Sequence, residues 1–333
     1  VLLRGGVHTG SDSLAVAKVR AQGSPNRWIR IANFPGEKPV IQFNSQRGFL
    51  LMGVRFLVVE GLEFYGESDL LNATDAFNYA ESFNNDDRPR ISKYFGVGLK
   101  MLANESGAYP HHVIIRNCRV HHTAGGGIAT ERADYLLIEN NEIFETSRFS
   151  PWGESAISIW ESLNQDDRDD IYRTVIRGNR CYLNDNEVRF WMSGIFSDGN
   201  GIILDALRID QQVLKDGYHE PYSGRVLVTA NVCFQNGGRG VNVYESDRID
   251  IVGNTLIHNS QRDGSKFEIE LGRTRGVRIL GNVIVPVPHQ PAVGGYDFEE
   301  VLFEDNLGSG PSEGPPQITN AKKVGSVYNV LGE

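Results

Sequence analysis

The sequence predicts an all-β solenoid: a single-stranded right-handed parallel β-helix with three short strands per coil and long loops flanking one sheet. Three observations predict it. A short β-branched run, a bend carrying Asn and a second β run recur along the chain. A glycine-led apolar strand recurs between those bends. The long insertions fall on either side of that second strand. Fixed-period self-similarity of this kind is the mark of stacked repeats.

The first phrase reads Ile138-Glu139-Asn140-Asn141-Glu142-Ile143 and returns around Asn179, Asn231, Asn254, Asn282 and Asn306. Cys118 and Leu62 fill the Asn column in earlier copies. From Cys118 the intervals are 23, 38, 52, 23, 28 and 24 residues. A base period near 23 gives one coil, and the longer intervals are coils carrying insertions. The Asn is expected to take the bend itself, because Asn tolerates the left-handed region and bonds locally. Coils stacked about 4.8 Å apart would let successive side-chain amides bond along the stack.

The second strand starts at Gly98, Gly127, Ala156, Gly201, Gly240 and Glu268. Its second and fourth residues are mostly apolar and face inward, by the two-residue strand period. One outward column is Lys100, Ala129, Ser158, Ile203, Asn242 and Glu270. The other is Leu102, Glu131, Trp160, Asp205, Tyr244 and Gly272. The same register puts Cys181 and Cys233 in an inward column with Ile143, Leu256 and Ile284, as small core residues rather than nucleophiles.

The chain has 333 residues, 33 basic and 42 acidic, for a net charge of −9. That balance argues against nucleic acid as a partner, since phosphate binding wants a basic face. No stretch approaches the ~18 apolar residues of a spanning helix, so membrane insertion is not expected. Residues 1–308 are expected to form the β-helix, and the Gly/Pro/Ser-rich 309–333 a tail capping the last coil. The chain begins at Val1, and its first residues lack the basic start and apolar stretch of a signal peptide. The sequence carries no signal for oligomeric state.

Insertions 66–96, 145–155 and 184–200 precede the glycine-led strand, and 103–111, 161–172 and 206–223 follow it. They would wall a groove whose floor is that sheet. Glu131, Asp205 and Glu270 project from the floor. Glu154, Asp198, Arg239 and Lys266 come just before it, and Glu161, Glu245 and Arg273 just after. Trp152, Trp160, Tyr244, Tyr218 and Tyr222 supply rings nearby. Rings stack on sugars, Arg forks bind carboxylates, and carboxylates hold a bridging cation, so the set suits an acidic polysaccharide. Trp160, Tyr244, Arg273, Glu270 and Trp152 are the substrate-binding candidates. Asp198, Asp205, Glu154, Glu161 and Glu245 are the metal candidates, with Asp198 paired to Glu154, and Asp205 to Glu245 or Glu161. Fully extended backbone would set Asp198 and Asp205 roughly 15–20 Å apart.

The segment Ile29-Arg30-Ile31-Ala32-Asn33-Phe34-Pro35-Gly36-Glu37-Lys38-Pro39-Val40-Ile41 resembles the entry coil of secreted β-helix proteins. Ser197-Asp198-Gly199-Asn200-Gly201-Ile202-Ile203-Leu204-Asp205, followed by Asn236-Gly237-Gly238-Arg239-Gly240-Val241, is similar to phrases of the pectate-lyase-like superfamily. The resemblance spans most of residues 27–308. It implies a secreted or periplasmic, carbohydrate-active protein with its cleft on this sheet. The reaction it implies is β-elimination in a uronic-acid polymer, with Ca²⁺ as the implied metal and no organic cofactor. That chemistry neutralises the uronate, removes the C5 proton and protonates the leaving oxygen. Lys266, Arg239 and Lys215 are then the base candidates, with His219 and Tyr218 as a His/Tyr option. The Asn-Thr-Asp, Asp-Asp and Gly-His-Gly set of inverting glycosidases of this fold is absent, as is the Asp-Pro-His of its epimerases. Two alternatives stand beside the lyase: a non-catalytic carbohydrate-binding β-helix, and a glycoside hydrolase using paired carboxylates on the same face.

Two histidine doublets, His111-His112 and His121-His122, complete the inventory. Adjacent strand residues face opposite ways, so neither doublet is expected to clamp a metal.

Overall fold

The computed structural model describes residues 1–83, 89–208 and 221–308. Each coil passes through three parallel sheets in a fixed order. Among the described residues the first sheet has nine strands, from Ala17–Val19 to Val293–Glu299. The second and third have ten each, starting at Leu2–Leu3 and Gly6–His8. Parallel neighbours one coil apart follow from a chain that always winds the same way, and right-handed crossovers are the favoured hand.

The interior is built of apolar columns. Ile31, Val59, Ile115, Ile138, Ile176, Val228, Ile251 and Ile279 are successive register partners in the second sheet. All eight are buried, and each contributes roughly 1.5–3 kcal/mol on leaving water. Cys181 and Cys233 pair in register inside the third-sheet column, between Ile143 and Leu256, as buried free thiols. Burial pushes the Cys118 thiol up to about 12, so it is a packing residue.

The asparagine ladder forms. Asn141 Nδ2 donates to Asn179 Oδ1 at 2.9 Å, Asn179 to Asn231 at 2.9 Å, and Asn231 to Asn254 at 3.0 Å. Asn254 continues to Asn282 at 3.0 Å, and Asn282 to Asn306 at 2.8 Å. Each of these Oδ1 atoms also accepts the backbone N–H of the preceding ladder Asn, so the side chain satisfies a bend amide that no strand reaches. One expectation is corrected. The left-handed residue is the one before the ladder Asn: Asn117, Asn140, Gly178, Ala230, Gly253, Gly281 and Asp305 all have positive φ. The ladder residue itself is free to turn its amide inward.

A second ladder lies five residues further along each coil. Thr146 Oγ1 donates to Asn184 Oδ1, Asn184 to Asn236 at 2.8 Å, and Asn236 to Asn259 at 2.6 Å. Glu268 ends it, accepting from the Asn259 N–H and Nδ2 at 2.7 and 2.5 Å. Thr146, Asn184, Asn236 and Asn259 keep the spacing of the first ladder, so that signal was present in the sequence; Glu268 falls outside it.

The described parts of the insertions flank the first sheet as expected, and one of them contains a helix. Residues 66–96 carry helix Ala73–Glu81, whose first turn is capped by Asn72 Oδ1 accepting from the Asp75 N–H at 3.0 Å. Tyr79, Phe83, Tyr94, Phe95 and Phe149 form a small second core beneath it. No helix among the described residues is long and apolar enough to cross a membrane. The expected tail 309–333 lies outside the described residues.

Candidate functional site

The two outward columns of the first sheet are those read from the sequence. Lys100, Ala129, Ser158, Ile203, Asn242 and Glu270 are successive register partners. So are Glu131, Trp160, Asp205, Tyr244, Gly272 and Tyr296. Asp205 therefore sits with an aromatic ring on the coil to either side, each about 4.8 Å along the axis. Trp160 is 37% exposed, and Tyr244 is half-buried. Tyr296 extends the column one coil beyond the predicted set. It follows Gly272 by one base period, a signal the sequence carried.

At the corner after this sheet the left-handed conformation recurs on successive coils at Arg132, Glu161, Ala206, Glu245, Arg273 and Asp297. Arg132 Nε pairs with Glu161 at 3.0 Å, and Arg273 Nη1 with Glu245 at 2.7 Å. Between the two acids Ala206 contributes only a methyl group, and Asp205 precedes it. Burial is the main cause that pushes the Asp205 carboxyl up to about 8, followed by the charges of Asp198, Glu245 and Glu161. A carboxylic acid that keeps its proton at neutral pH is the outcome.

Asp198 lies within electrostatic reach of Asp205, and Gly199 between them takes a φ of 74°. Its carboxylate accepts from Ser197 Oγ at 2.6 Å and Ser155 Oγ at 3.3 Å. Burial raises its pKa, against the pull of those hydroxyls and of Arg239. Glu154 accepts the Gly126 N–H at 3.2 Å, in space open only because residue 125 is Gly; a Cβ there would strike the carboxylate. Burial raises its pKa too, with Lys100 the largest opposing charge.

The structure groups Asp205, Asp198, Glu161, Glu245, Trp160 and Tyr244 on one face, with Glu270 and Arg273 beside them. It does not group the rest. Arg239 is buried, its Nε donating to Glu270 at 2.6 Å and its Nη1 to the Ser197 carbonyl at 2.8 Å. It braces the floor, and a guanidinium held in an ion pair is a poor base. Lys266 is exposed on the opposite corner, lining a depression of 380 Å³ with Arg262, His289 and Pro291. Trp152 is taken into the loop core, edge-on to Phe95 at 5.3 Å and under Arg90 at 4.1 Å. Tyr222 is buried, donating to Asp134 Oδ1 at 2.6 Å beside the fully buried Arg173–Asp134 ion pair. Lys215, Tyr218 and His219 lie outside the described residues. Sequence reasoning assigned no role to Arg132, which holds Glu161 in place.

The five predicted metal carboxylates do not form a nest. Among the described residues no three His, Cys, Asp or Glu side chains converge closely enough to hold a metal ion. Glu161 and Glu245 are turned to their arginines, and Glu154 and Asp198 to an amide and hydroxyls. The set does not fit Ca²⁺.

Comparison with solved structures gives an alginate lyase from Paenibacillus sp., at 12% identity and TM-score 0.49, covering 90% of this chain and 91% of that one. The A-module of a mannuronan C-5 epimerase from Azotobacter vinelandii matches at 14% identity and TM-score 0.42, covering 98% and 91%. A pectate lyase matches at 14% identity and TM-score 0.41, covering 89% and 70%. No curated protein sequence matches the chain significantly. The family model described as the right-handed β-helix region matches residues 102–286, more than half of the chain. With three parallel sheets and continuous inward columns already in view, the chain belongs to the right-handed β-helix family.

Proposed function

We propose that this protein is a carbohydrate-active enzyme that cleaves a polysaccharide laid along the first sheet, with Asp205 as the acid. One observation carries the reading: a proton-retaining carboxyl stands between two aromatic rings in one outward column, with further carboxylates in electrostatic reach. Sugar faces stack on Trp160 and Tyr244, which places a glycosidic oxygen over Asp205. Asp205 then gives its proton to that oxygen as the bond to the anomeric carbon breaks. Glu245, held by Arg273, is assigned as the carboxylate that takes a proton from the attacking water. This is the paired-carboxylate hydrolase reading. It is preferred because Lys100, Arg132, Arg239 and Arg273 on this face are each engaged in an ion pair rather than available as a base.

β-Elimination is the second reading, and one observation favours it. A protonated Asp205 can share its proton with a uronate carboxylate and neutralise it, with the Arg273 guanidinium alongside. A polymeric substrate places either enzyme outside the cytoplasm. The test is a panel of neutral and uronic polysaccharides, read both for new reducing ends and for the ultraviolet absorbance of unsaturated products. Reducing ends without unsaturation support hydrolysis, and unsaturated ends support elimination. In either case activity should fall as pH rises past about 8 and be lost in Asp205→Asn. Undiminished cleavage by Asp205→Asn would refute the assignment.

A further inference from the structure

The floor of the groove continues past Asp205 in the direction away from Trp160. Tyr244, Gly272 and Tyr296 occupy the next three coils of the same outward column. Gly272 lies inside strand Ile269–Arg275 without a positive φ, so what it supplies is space. A Cβ there would lie 2.9 Å from Tyr244 Cδ2 and 3.4 Å from both Cζ and Oη of Tyr296. The two rings therefore approach one another over the glycine, one from the coil before it and one from the coil after. Together they make an aromatic platform on the floor. Tyr296 is 45% exposed, and Tyr244 is half-buried. Burial first, then the charge of Glu245, pushes the Tyr244 phenol up to about 12, so that ring stays uncharged at neutral pH.

An unsatisfied polar group lies beside this platform. Asn242 precedes Tyr244 by two residues on strand Val241–Tyr244 and shares its outward face, while Val241 and Val243 are buried in the core. Its register partners are Ile203 and Glu270. Asn242 is only 9% exposed, and its side-chain amide has no hydrogen-bond partner among the described residues. Buried amides are ordinarily bonded, and this one offers two donors and an acceptor on the groove side. The charges nearest to it are already matched. Arg239 Nε donates to Glu270 at 2.6 Å, and Arg273 Nη1 to Glu245 at 2.7 Å.

We infer that Asn242, Tyr244 and Tyr296 form a subsite for an uncharged pyranose of the bound polysaccharide, resting on the reading that the polymer lies along the first sheet. The apolar face of the sugar stacks on the platform, with Tyr296 as its outer ring. Hydroxyls at the edge of the sugar supply the partners that the Asn242 amide lacks. A uronate in this place would add a third carboxylate beside Glu270 and Glu245, whose arginines are already paired, and burying it there is costly. The subsite therefore selects a polymer with neutral sugars on this side of the cleaved bond.

The test is calorimetric titration of the full chain, as wild type and as Asp205→Asn, with hexasaccharides of two kinds. The neutral ones are β-1,4-linked glucose, β-1,4-linked mannose and α-1,4-linked glucose; the uronic ones are galacturonate and mannuronate. A neutral hexasaccharide should bind saturably and more tightly than either uronic chain. Tyr296→Ala and Asn242→Ala should each weaken it about 3–10-fold. Melting curves check that each variant is folded, and Tyr296, at the surface, is the residue less needed for folding. Three results would overturn the inference: preference for a uronic chain, no saturable binding of any hexasaccharide, or an unchanged affinity for the neutral chain in folded Tyr296→Ala. Cleavage is scored separately. Cleavage that survives in Asp205→Asn refutes the acid and leaves the subsite standing, whereas cleavage lost in Asp205→Asn together with uronate preference removes the subsite and leaves the acid.

Discussion

Replacing Asp205 by Asn tests the candidate site through stability as well as activity. The carboxyl has an ordinary pKa of 3.8 and reaches about 8 in the fold. The folded chain therefore binds this proton more tightly than the unfolded chain. Its stability contribution is complete below pH 3.8 and is lost as pH rises through about 8. Each pH unit in that window is worth about 1.4 kcal/mol, so the wild-type penalty at pH 7 has a ceiling of about 4 kcal/mol. Asp205 is half-buried, and screening by nearby water reduces the expected gain in Asp205→Asn to about 2 kcal/mol. An unfolding entropy of ~2.1 cal/mol/K per residue converts this to a rise in melting temperature of about 3 °C. The assay is a set of thermal melts of both proteins from pH 4 to 9. The two should coincide near pH 4 and diverge toward pH 8, with the variant the more stable and inactive. A variant no more stable at pH 8 than at pH 4, relative to wild type, would refute the account of Asp205 as a crowded, proton-retaining acid.

Other outcomes follow from the same structure. Asn231→Ala should cost about 3–5 kcal/mol in urea melts, because it removes four ladder hydrogen bonds and strands the buried Asn179 amide. Asn306→Ala, at the half-buried end of the ladder, should cost less, about 1–2 kcal/mol. Trp160→Ala should weaken oligosaccharide binding roughly tenfold, measured by calorimetry, while lowering the melting temperature less than truncation of a fully buried ring, since Trp160 is 37% exposed. Burial pushes Glu268 up to about 7, so its contribution is complete below the ordinary 4.5 and is lost as pH rises through about 7. Melts of Asp205→Asn should keep a residual loss of stability across that range, which Asp205→Asn/Glu268→Gln removes.

The periodic features of this protein were determined by its sequence alone. Stacking at a common period forces residues of equal phase into columns. The Asn bends, the inward Cys181–Cys233 pair and the outward Trp160–Asp205–Tyr244 column could therefore be read before any coordinates. Site residues on regular strands were legible for the same reason. What period and alternation do not encode is backbone conformation at the corners and side-chain choice among competing partners. Left-handed residues decided that His122 turns toward His121, against the strand rule, and that Glu161 and Glu245 flank Ala206. Ion pairing decided that Arg239 braces Glu270 rather than serving as a base. Packing of a loop core decided that Trp152 leaves the groove. Each of these depends on distances between residues far apart in the chain, which only the closed coils fix.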